Sequence, residues 1–352
     1  MNTIALIVPN NLWVCPYVSI YTKIFEKMGA KYEVISWNRA GKEERGIQYN
    51  KMEKSRNHIE VLWSYYKFAR FVKKTLEKED YKKVVVFSPQ LAIFLSGYLR
   101  KRYKNLYIID YRDLSIEQKA PLGLIFKKCL EYSYANVISS PGFRDYLPPN
   151  FKYDISHNFR VEETFSEARA RIPDIQKDIR ILTIGALRTD CNREVMDALG
   201  NRDRFQLDFV GKGMAAKTLE EYARLHSYDN INFTGYYEKQ DEPDIIKGCT
   251  MINIVYPLIP SHISALSNRF YNSLKYKRPM IVTKHTIQGD FAEKYRVGLV
   301  IENCEHLEDK IRNYLQQLDF EEYVKRCDEL LDVFVEENFL FEKMLKKFIK
   351  AN

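Results

Sequence analysis

The stretch KVVVFSPQLAIFLSGYLRKRYKNLYIID, residues 83–110, decides the fold class. Its two ends, Lys83–Phe87 and Leu106–Asp110, are short apolar runs rich in β-branched residues, and a longer amphipathic stretch separates them. A strand, a helix and a second strand in that order make a βαβ unit, whose two strands lie parallel in one sheet. The same alternation continues in both directions. Toward the N-terminus it gives strands at Thr3–Val8 and Tyr32–Trp37, and a helix over about Ile59–Leu76. That helix is read with Ile59, Leu62, Trp63, Tyr66, Ala69 and Val72 on its apolar face. Toward the C-terminus come strands at Asn136–Ser139 and Lys152–Ile155, then a polar stretch, Val161–Asp178, that reads as a linker.

Beyond the linker the pattern starts again, with strands at Ile179–Ile184, Gln206–Val210, Ile231–Thr234, Met251–Val255, Met280–Thr283 and Gly298–Ile301. Helices over about Glu305–Leu318 and Phe320–Val335 close this half, followed by a basic tail, Lys343–Lys350. The expected organisation is therefore an α/β protein of two Rossmann-like domains. One spans 1–160 and the other 178–335, with 336–352 a basic helix packing back on the first. Neither half contains a Gly-x-Gly-x-x-Gly turn followed by an acidic residue about 20 positions on, so no dinucleotide fingerprint is present.

Length and composition agree with two soluble globular domains, since 352 residues is about twice the usual domain length. The net charge of +8 is unevenly spread: residues 1–160 hold 27 Lys and Arg against 15 acids, and residues 161–352 hold 28 against 32. A basic half attracts phosphates, whether in nucleic acid, lipid headgroups or a diphosphate-bearing substrate. The six cysteines are dispersed without a close pair, which argues against a zinc site or a disulfide framework and points to reduced thiols. The opening MNTIALIVPNN has no basic leader, and no run approaches the ~18 apolar residues of a membrane span. A cytoplasmic protein is expected.

Three segments at strand ends carry a resemblance. The first is Ala265-Leu266-Ser267-Asn268-Arg269-Phe270, continuing through Asn272 to Pro279 and Val282. The second is Asp110-Tyr111-Arg112-Asp113-Leu114. The third runs from Ser139-Ser140-Pro141-Gly142-Phe143 to Ile155-Ser156-His157-Asn158. In this order and spacing they resemble GT-B glycosyltransferases, especially the capsule and O-antigen enzymes related to glycosyltransferase family 4. The resemblance implies a GT-B fold, with two Rossmann-like parallel-sheet domains facing across a cleft. It also implies transfer of a sugar from a nucleotide-diphosphate donor to a glycan acceptor in bacterial surface-polysaccharide assembly, with the anomeric configuration retained. The donor is expected on the C-terminal domain and the acceptor, carried on a polyprenyl diphosphate, on the N-terminal one. The sequence departs from the pattern where Ser264 and Asn272 replace two glutamates, Arg112 a histidine, and Asn10-Asn11 a glycine pair.

The resemblance, together with the chemistry of these residue types, implies their expected roles. A helix opening at Asn268 presents unpaired amides to a diphosphate, and Arg269 adds a cation beside them. Arg188, just past the strand end at Gly185, and Lys212, between Gly211 and Gly213, stand in loops where a backbone can approach a phosphate. Asn272 can hydrogen-bond a ribose hydroxyl, and His157 is read as a further donor contact. Asp113, after a buried strand, is the catalytic candidate that positions or polarises the acceptor, with Arg112 and Asn11 on the acceptor side. No Asp-x-Asp triplet or histidine cluster is available to hold a metal, so a metal-free mechanism with no cofactor is expected. The stretch Lys51–Lys104 has 14 Lys and Arg against 5 acids, interleaved with Trp63, Tyr65, Tyr66, Phe68 and Phe71. That composition suits an ordinary solvated helix face or an anionic membrane surface. Nucleic acid is set aside because no recognised module accompanies the charge. The rival functions are a catalytically silent GT-B partner subunit, suggested by the missing glutamates, and a UDP-sugar 2-epimerase.

Overall fold

The computed structural model describes residues 3–52, 57–159, 178–188 and 190–351; of the expected linker, 161–178, only Asp178 falls among them. The chain divides into two compact units, residues 1–160 with 336–352 and residues 161–335. In unit 1, β1 (Thr3–Val8), β2 (Tyr32–Asn38), β3 (Ile47–Asn50), β4 (Tyr81–Val86), β5 (Tyr107–Tyr111), β6 (Ala135–Ile138) and β7 (Tyr153–Ile155) form one parallel sheet. Its order is β3-β2-β1-β4-β5-β6-β7. In unit 2, β8 (Ile179–Ile184), β9 (Phe205–Val210), β10 (Ile231–Gly235), β11 (Met251–Ile254), β12 (Met280–Thr283) and β13 (Gly298–Ile301) form a second parallel sheet in the order β10-β9-β8-β11-β12-β13. Central strands such as β1 and β11 are buried on both faces, which is why they read as unbroken apolar runs.

The helices of unit 1 are α1 (Val18–Lys27), α2 (His58–Lys78), α3 (Pro89–Arg102) and α4 (Leu122–Glu131). Those that follow are α5 (Asn192–Leu199), α6 (Ala216–Leu225), α7 (Glu242–Lys247), α8 (Pro260–Ser264), α9 (Asn268–Lys275), α10 (Ile287–Tyr295), α11 (Leu307–Gln316) and α12 (Phe320–Lys350). Their starts carry the expected chemistry. Ser88 caps α3 ahead of Pro89, Asn57 accepts the Ile59 amide at the head of α2, and Ser267 caps α9. In unit 1, α1 and the last turns of α12 form one layer over the sheet: Tyr21 and Phe25 share a core cluster with Phe341, Leu345 and Phe348. The neighbouring helices α2, α3 and α4 form the other layer.

Three readings from sequence are corrected. The edge strand β3, IQYN, is an addition to the strands read from sequence: its residues are half-buried to exposed and form no apolar run of the kind that marks the inner strands. Helix α2 exposes Ile59, Trp63 and Tyr66, and its inner face is Tyr65, Phe68, Ala69, Val72 and Leu76. The helix carries apolar residues around much of its circumference, and the choice is made by Trp37 of β2, whose ring meets Tyr65 at 5.3 Å and Phe68 at 5.5 Å. The final helix does not stop at 335. It continues to Lys350, because Phe341, Leu345 and Phe348 recur at helical spacing and find an apolar surface on α1 and the sheet. Its end is held by Lys83 of β4, a buried lysine whose Nζ donates to the carbonyls of Phe348 (2.5 Å), Ile349 (3.0 Å) and Ala351. A cation on the orphan carbonyls of a helix C-terminus also meets the negative end of its dipole.

Candidate functional site

In open parallel sheets ligands gather where the strands end, so the carboxyl edge of each unit is where function is sought. In unit 2 the loops after β8 and β9 are pressed together. The Gly185 amide donates to the Val210 carbonyl and the Leu187 amide to that of Lys212. A Cβ on Gly211 would sit 1.9 Å from the Gly185 oxygen, and one on Gly213 would sit 2.0 Å from the Leu187 oxygen. Only glycine fits at these two positions. The effect is to place two exposed cations, Arg188 and Lys212, on neighbouring loops. The Lys212 ammonium lies over the Tyr236 ring at 5.3 Å, so β10 adds a third loop.

Helix α9 adds the fourth element. Asn268 is exposed in its first turn, while Arg269 turns inward and is buried. The Arg269 Nε donates to the Ile184 carbonyl at 2.5 Å, and its two terminal nitrogens lie 3.5 and 3.4 Å from the carbonyls of Asn253 and Ala186. The guanidinium thus spans the ends of β8 and β11 and lies 5.6 Å from the Tyr256 ring. Asn272, one turn on, donates to Glu242 at 3.3 Å. That carboxylate also accepts from Tyr237 at 2.8 Å and from Lys239. Burial, the Glu242 hydrogen bond and the Glu242 charge raise the Tyr237 pKa, while the Arg269 charge opposes them, so the phenol stays protonated. The His262 ring of α8 packs against Tyr256 at 4.9 Å, tilted by 44°, and its Nδ1 is buried without a hydrogen-bond partner. Burial lowers its pKa, a hydrogen bond to the Pro257 backbone opposes the shift and the Arg188 charge adds to it, with the net direction downward, toward the neutral ring.

Arg188, Lys212, Arg269 and Asn272 are therefore joined at one edge through Tyr236, Tyr237, Glu242, Tyr256 and His262. Reading the sequence missed those five. Two tyrosines directly after the β10 run were a usable signal, whereas Glu242 lies in the charged run EKQDEP, where nothing marks one acid from the next.

The carboxyl edge of unit 1 is built differently. Asp110, fully buried near the end of β5, accepts from Tyr21 at 2.6 Å and from Arg112 at 2.5 and 2.6 Å. Arg112 also donates to the Ser156 carbonyl at 2.9 Å and its hydroxyl at 3.1 Å, and lies 4.7 Å over the Tyr17 ring. Burial works against the guanidinium charge, but Asp110 outweighs it and the Arg112 pKa ends raised. Asn11 is likewise a staple within the chain: it donates to Asn38 (3.0 Å) and Glu44 (3.1 Å) and accepts from the Ala40 amide. The His157 Nε2 is 2.6 Å from Glu337, and its backbone amide donates to Asn338 at 2.8 Å. Burial lowers the His157 pKa and Glu337 offsets part of the shift. His157 belongs to unit 1, whereas the other residues assigned to the donor belong to unit 2. Asp113 is exposed just past β5, with one oxygen accepting the Leu114 amide at 2.9 Å. A groove of ≈ 550 Å³ along α1 contains none of the predicted site residues. Among the described residues no three His, Cys, Asp or Glu side chains converge as a metal site requires, and no helix is long and apolar enough to cross a membrane.

Two parallel Rossmann-like sheets of this kind are the GT-B fold, and comparison with solved structures agrees. Sucrose-phosphate synthase from Thermosynechococcus elongatus superposes with a TM-score of 0.72 at 14% identity, over 99% of this chain and 100% of that one. The lipopolysaccharide outer core galactosyltransferase WaaB gives 0.67 at 13%, over 98% and 99%. HepE of Anabaena, solved in complex with UDP, gives 0.66 at 11%, over 99% and 100%. At such identities the likeness carries the fold alone. No protein-family model and no curated protein sequence matches the chain.

Proposed function

We propose that the protein is a glycosyltransferase that takes a sugar from a nucleoside-diphosphate donor held at the carboxyl edge of unit 2. The observation that carries this reading is the convergence of Arg188, Lys212 and Arg269 from three separate segments on one strand-end surface. The leaving diphosphate concentrates negative charge, and fixed cations beside it lower the barrier in the way a metal does elsewhere, so the mechanism is metal-independent. Arg269 is already held by backbone carbonyls, so it supplies field and architecture, while the exposed Arg188 and Lys212 reach the phosphates. Asn272 with Glu242 suits two ribose hydroxyls: an amide and a carboxylate side by side accept both. Tyr236 offers a ring face to the base.

The acceptor is a glycan hydroxyl at unit 1, polarised by Asp113, and the donor configuration is retained. HepE binds UDP and WaaB is a lipopolysaccharide outer core galactosyltransferase, which supports a UDP-sugar and a bacterial surface glycan for this chain, with the acceptor carried on a lipid at an anionic membrane. The neutral side chains at Ser264 and Asn272 favour a second reading, a GT-B partner subunit that binds donor without turning it over.

Calorimetric titration with UDP, GDP and CMP, with and without EDTA, followed by donor-turnover assays, separates these. UDP binding that survives EDTA and is accompanied by sugar release supports the transferase. Binding without turnover supports the silent subunit, conversion of the donor to its C2 epimer the epimerase, and loss of binding on chelation overturns the metal-free mechanism.

A further inference from the structure

The crossover from β2 to β3 consists of residues 39–46 alone, without a helix. Parallel strands are usually joined through a dozen or more residues that include a helix packed on the sheet. Because the order β3-β2-β1 advances in one direction, a right-handed connection from β2 to β3 belongs on the same sheet face as α1, which joins β1 to β2. The place beside α1 where a second helix would lie is therefore unfilled. The groove of ≈ 550 Å³ marks that place: Val18, Thr22 and Glu26 of α1 line one side, and Val34, Arg45 and Gly46 line the other. From Val18 to Glu26 is eight residues of helix, about 12 Å.

The sheet face on this side is polar. Trp37 turns toward α2, so by alternation Val34, Ser36 and Asn38 face α1, as do Gln48 and Asn50, which stand opposite Ser36 and Asn38 in register. The Ser36 hydroxyl and the Gln48 amide nitrogen are buried without a hydrogen-bond partner. Such a face is a poor seat for an apolar helix or an alkyl chain, either of which would leave those groups unmet. The rim has the same character. Glu26 and Arg45 are exposed, and a Glu26 oxygen accepts from Tyr32 at 2.6 Å. At its head the groove reaches Leu12, next to Asn11 at the carboxyl edge of the unit. Trp13 beside it is 62% exposed, and Glu44 fixes this turn by accepting the Leu12 and Trp13 amides at 2.9 and 3.2 Å.

We infer that the groove is an oligosaccharide subsite, which holds the sugar units of the acceptor glycan that lie behind the one being extended. A sugar ring presents hydroxyls at its rim and C–H groups on its faces. Glu26 and Arg45 suit the hydroxyls through charge-assisted hydrogen bonds, and Leu12, Val18, Val34 and the Trp13 ring suit the C–H faces. The groove leads away from the strand ends, so a glycan lying in it directs one end to the carboxyl edge where Asp113 stands. The inference deepens the reading of a glycan acceptor at unit 1 and rests on it for its purpose.

The test is a titration of the full chain, followed by ligand-observed NMR, with glucose, galactose and N-acetylglucosamine and with their di- to tetrasaccharides, with UDP affinity measured on the same preparations. The expected result is that the tetrasaccharide of at least one series binds roughly tenfold more tightly than its monosaccharide, the scale of one or two added hydrogen bonds to charged groups. Arg45→Ala with Glu26→Gln should remove that gain while leaving the monosaccharide affinity, the UDP affinity and the melting temperature unchanged. Arg45→Ala alone, at an exposed position, should remove part of it. Failure of every oligosaccharide to bind, an affinity independent of chain length, or a double variant that binds the tetrasaccharide like the wild type each overturns the inference. So does a detergent-solubilised polyprenyl phosphate that binds the wild type and is lost in the same variants, because it assigns the groove to an alkyl chain. If UDP binds and the oligosaccharides fail, only the groove reading falls. If the oligosaccharides bind and UDP fails, only the donor reading falls.

Discussion

The carboxyl edges of the two units solve the same topological position in opposite ways. In unit 1 the polar side chains are tied to one another: Arg112 to Asp110 and Ser156, Asn11 to Asn38 and Glu44, His157 to Glu337. In unit 2 the two glycine-backed loops keep Arg188 and Lys212 exposed, while Arg269 is held by strand-end carbonyls and Asn272 by Glu242. The difference teaches what each edge is ready to receive. Exposed cations keep their charge available for an anion, whereas a network already satisfied is a rigid, nearly neutral floor, suited to orienting hydroxyl groups.

The contrast can be broken first at Asp110. Asp110→Ala leaves the Arg112 guanidinium buried without its carboxylate, and removing one member of a buried pair costs about 3–5 kcal/mol. Chemical denaturation should show that loss; a change below about 1 kcal/mol would mean the edge of unit 1 is not held by this pair. Next in size is Lys212→Ala, which should weaken UDP binding by about 1–1.5 kcal/mol, close to tenfold, with no change in melting temperature. Arg269→Ala should weaken both binding and stability, since it strands strand-end carbonyls. A Lys212 variant that loses stability instead of affinity would erase the distinction between the edges.

The smallest effect concerns pH. His157 and His262 have folded pKa values lowered from 6.5, so the unfolded chain takes up protons that the folded chain refuses. Stability therefore falls as pH drops below about 6.5, by at most about 1.4 kcal/mol per pH unit for each group. Urea melts at neutral and mildly acidic pH check this: His157→Gln should flatten part of the slope, and an unaltered slope would remove His157 from the account.

The sheets were legible because inner parallel strands must be apolar throughout, a pattern that survives without knowledge of partners. Strand β3 and the phase of α2 were not, since both are decided by contacts: the half-buried IQYN pairs only at an edge, and Trp37 selects which side of α2 turns inward. The candidate site divides the same way. Lys212 could be singled out because glycines flank it, and Arg188 because it follows the strand-end Gly185 in the family pattern. Glu242 could not, because what distinguishes it is Asn272, thirty residues away in sequence. The network around Arg112 was equally hidden, as Ser156 and Tyr21 reach it from opposite ends of the unit.

The clamp between Lys83 and the end of α12 has a consequence for the order in which the protein is made. Residues 336–352 belong to unit 1, and Phe341, Leu345 and Phe348 complete the core that Tyr21 and Phe25 begin. A chain emerging N-terminus first presents all seven strands of unit 1 long before these side chains exist, and the contacts from Lys83 to Phe348 and Ile349 close loops of 265 and 266 residues. Domains tend to fold as they are synthesised, but here the leading unit must wait with one apolar face uncovered while the whole of unit 2 is translated and can fold. The first unit in the sequence is thus the last to be sealed, and its open core is the stage at which a nascent chain most needs protection from aggregation.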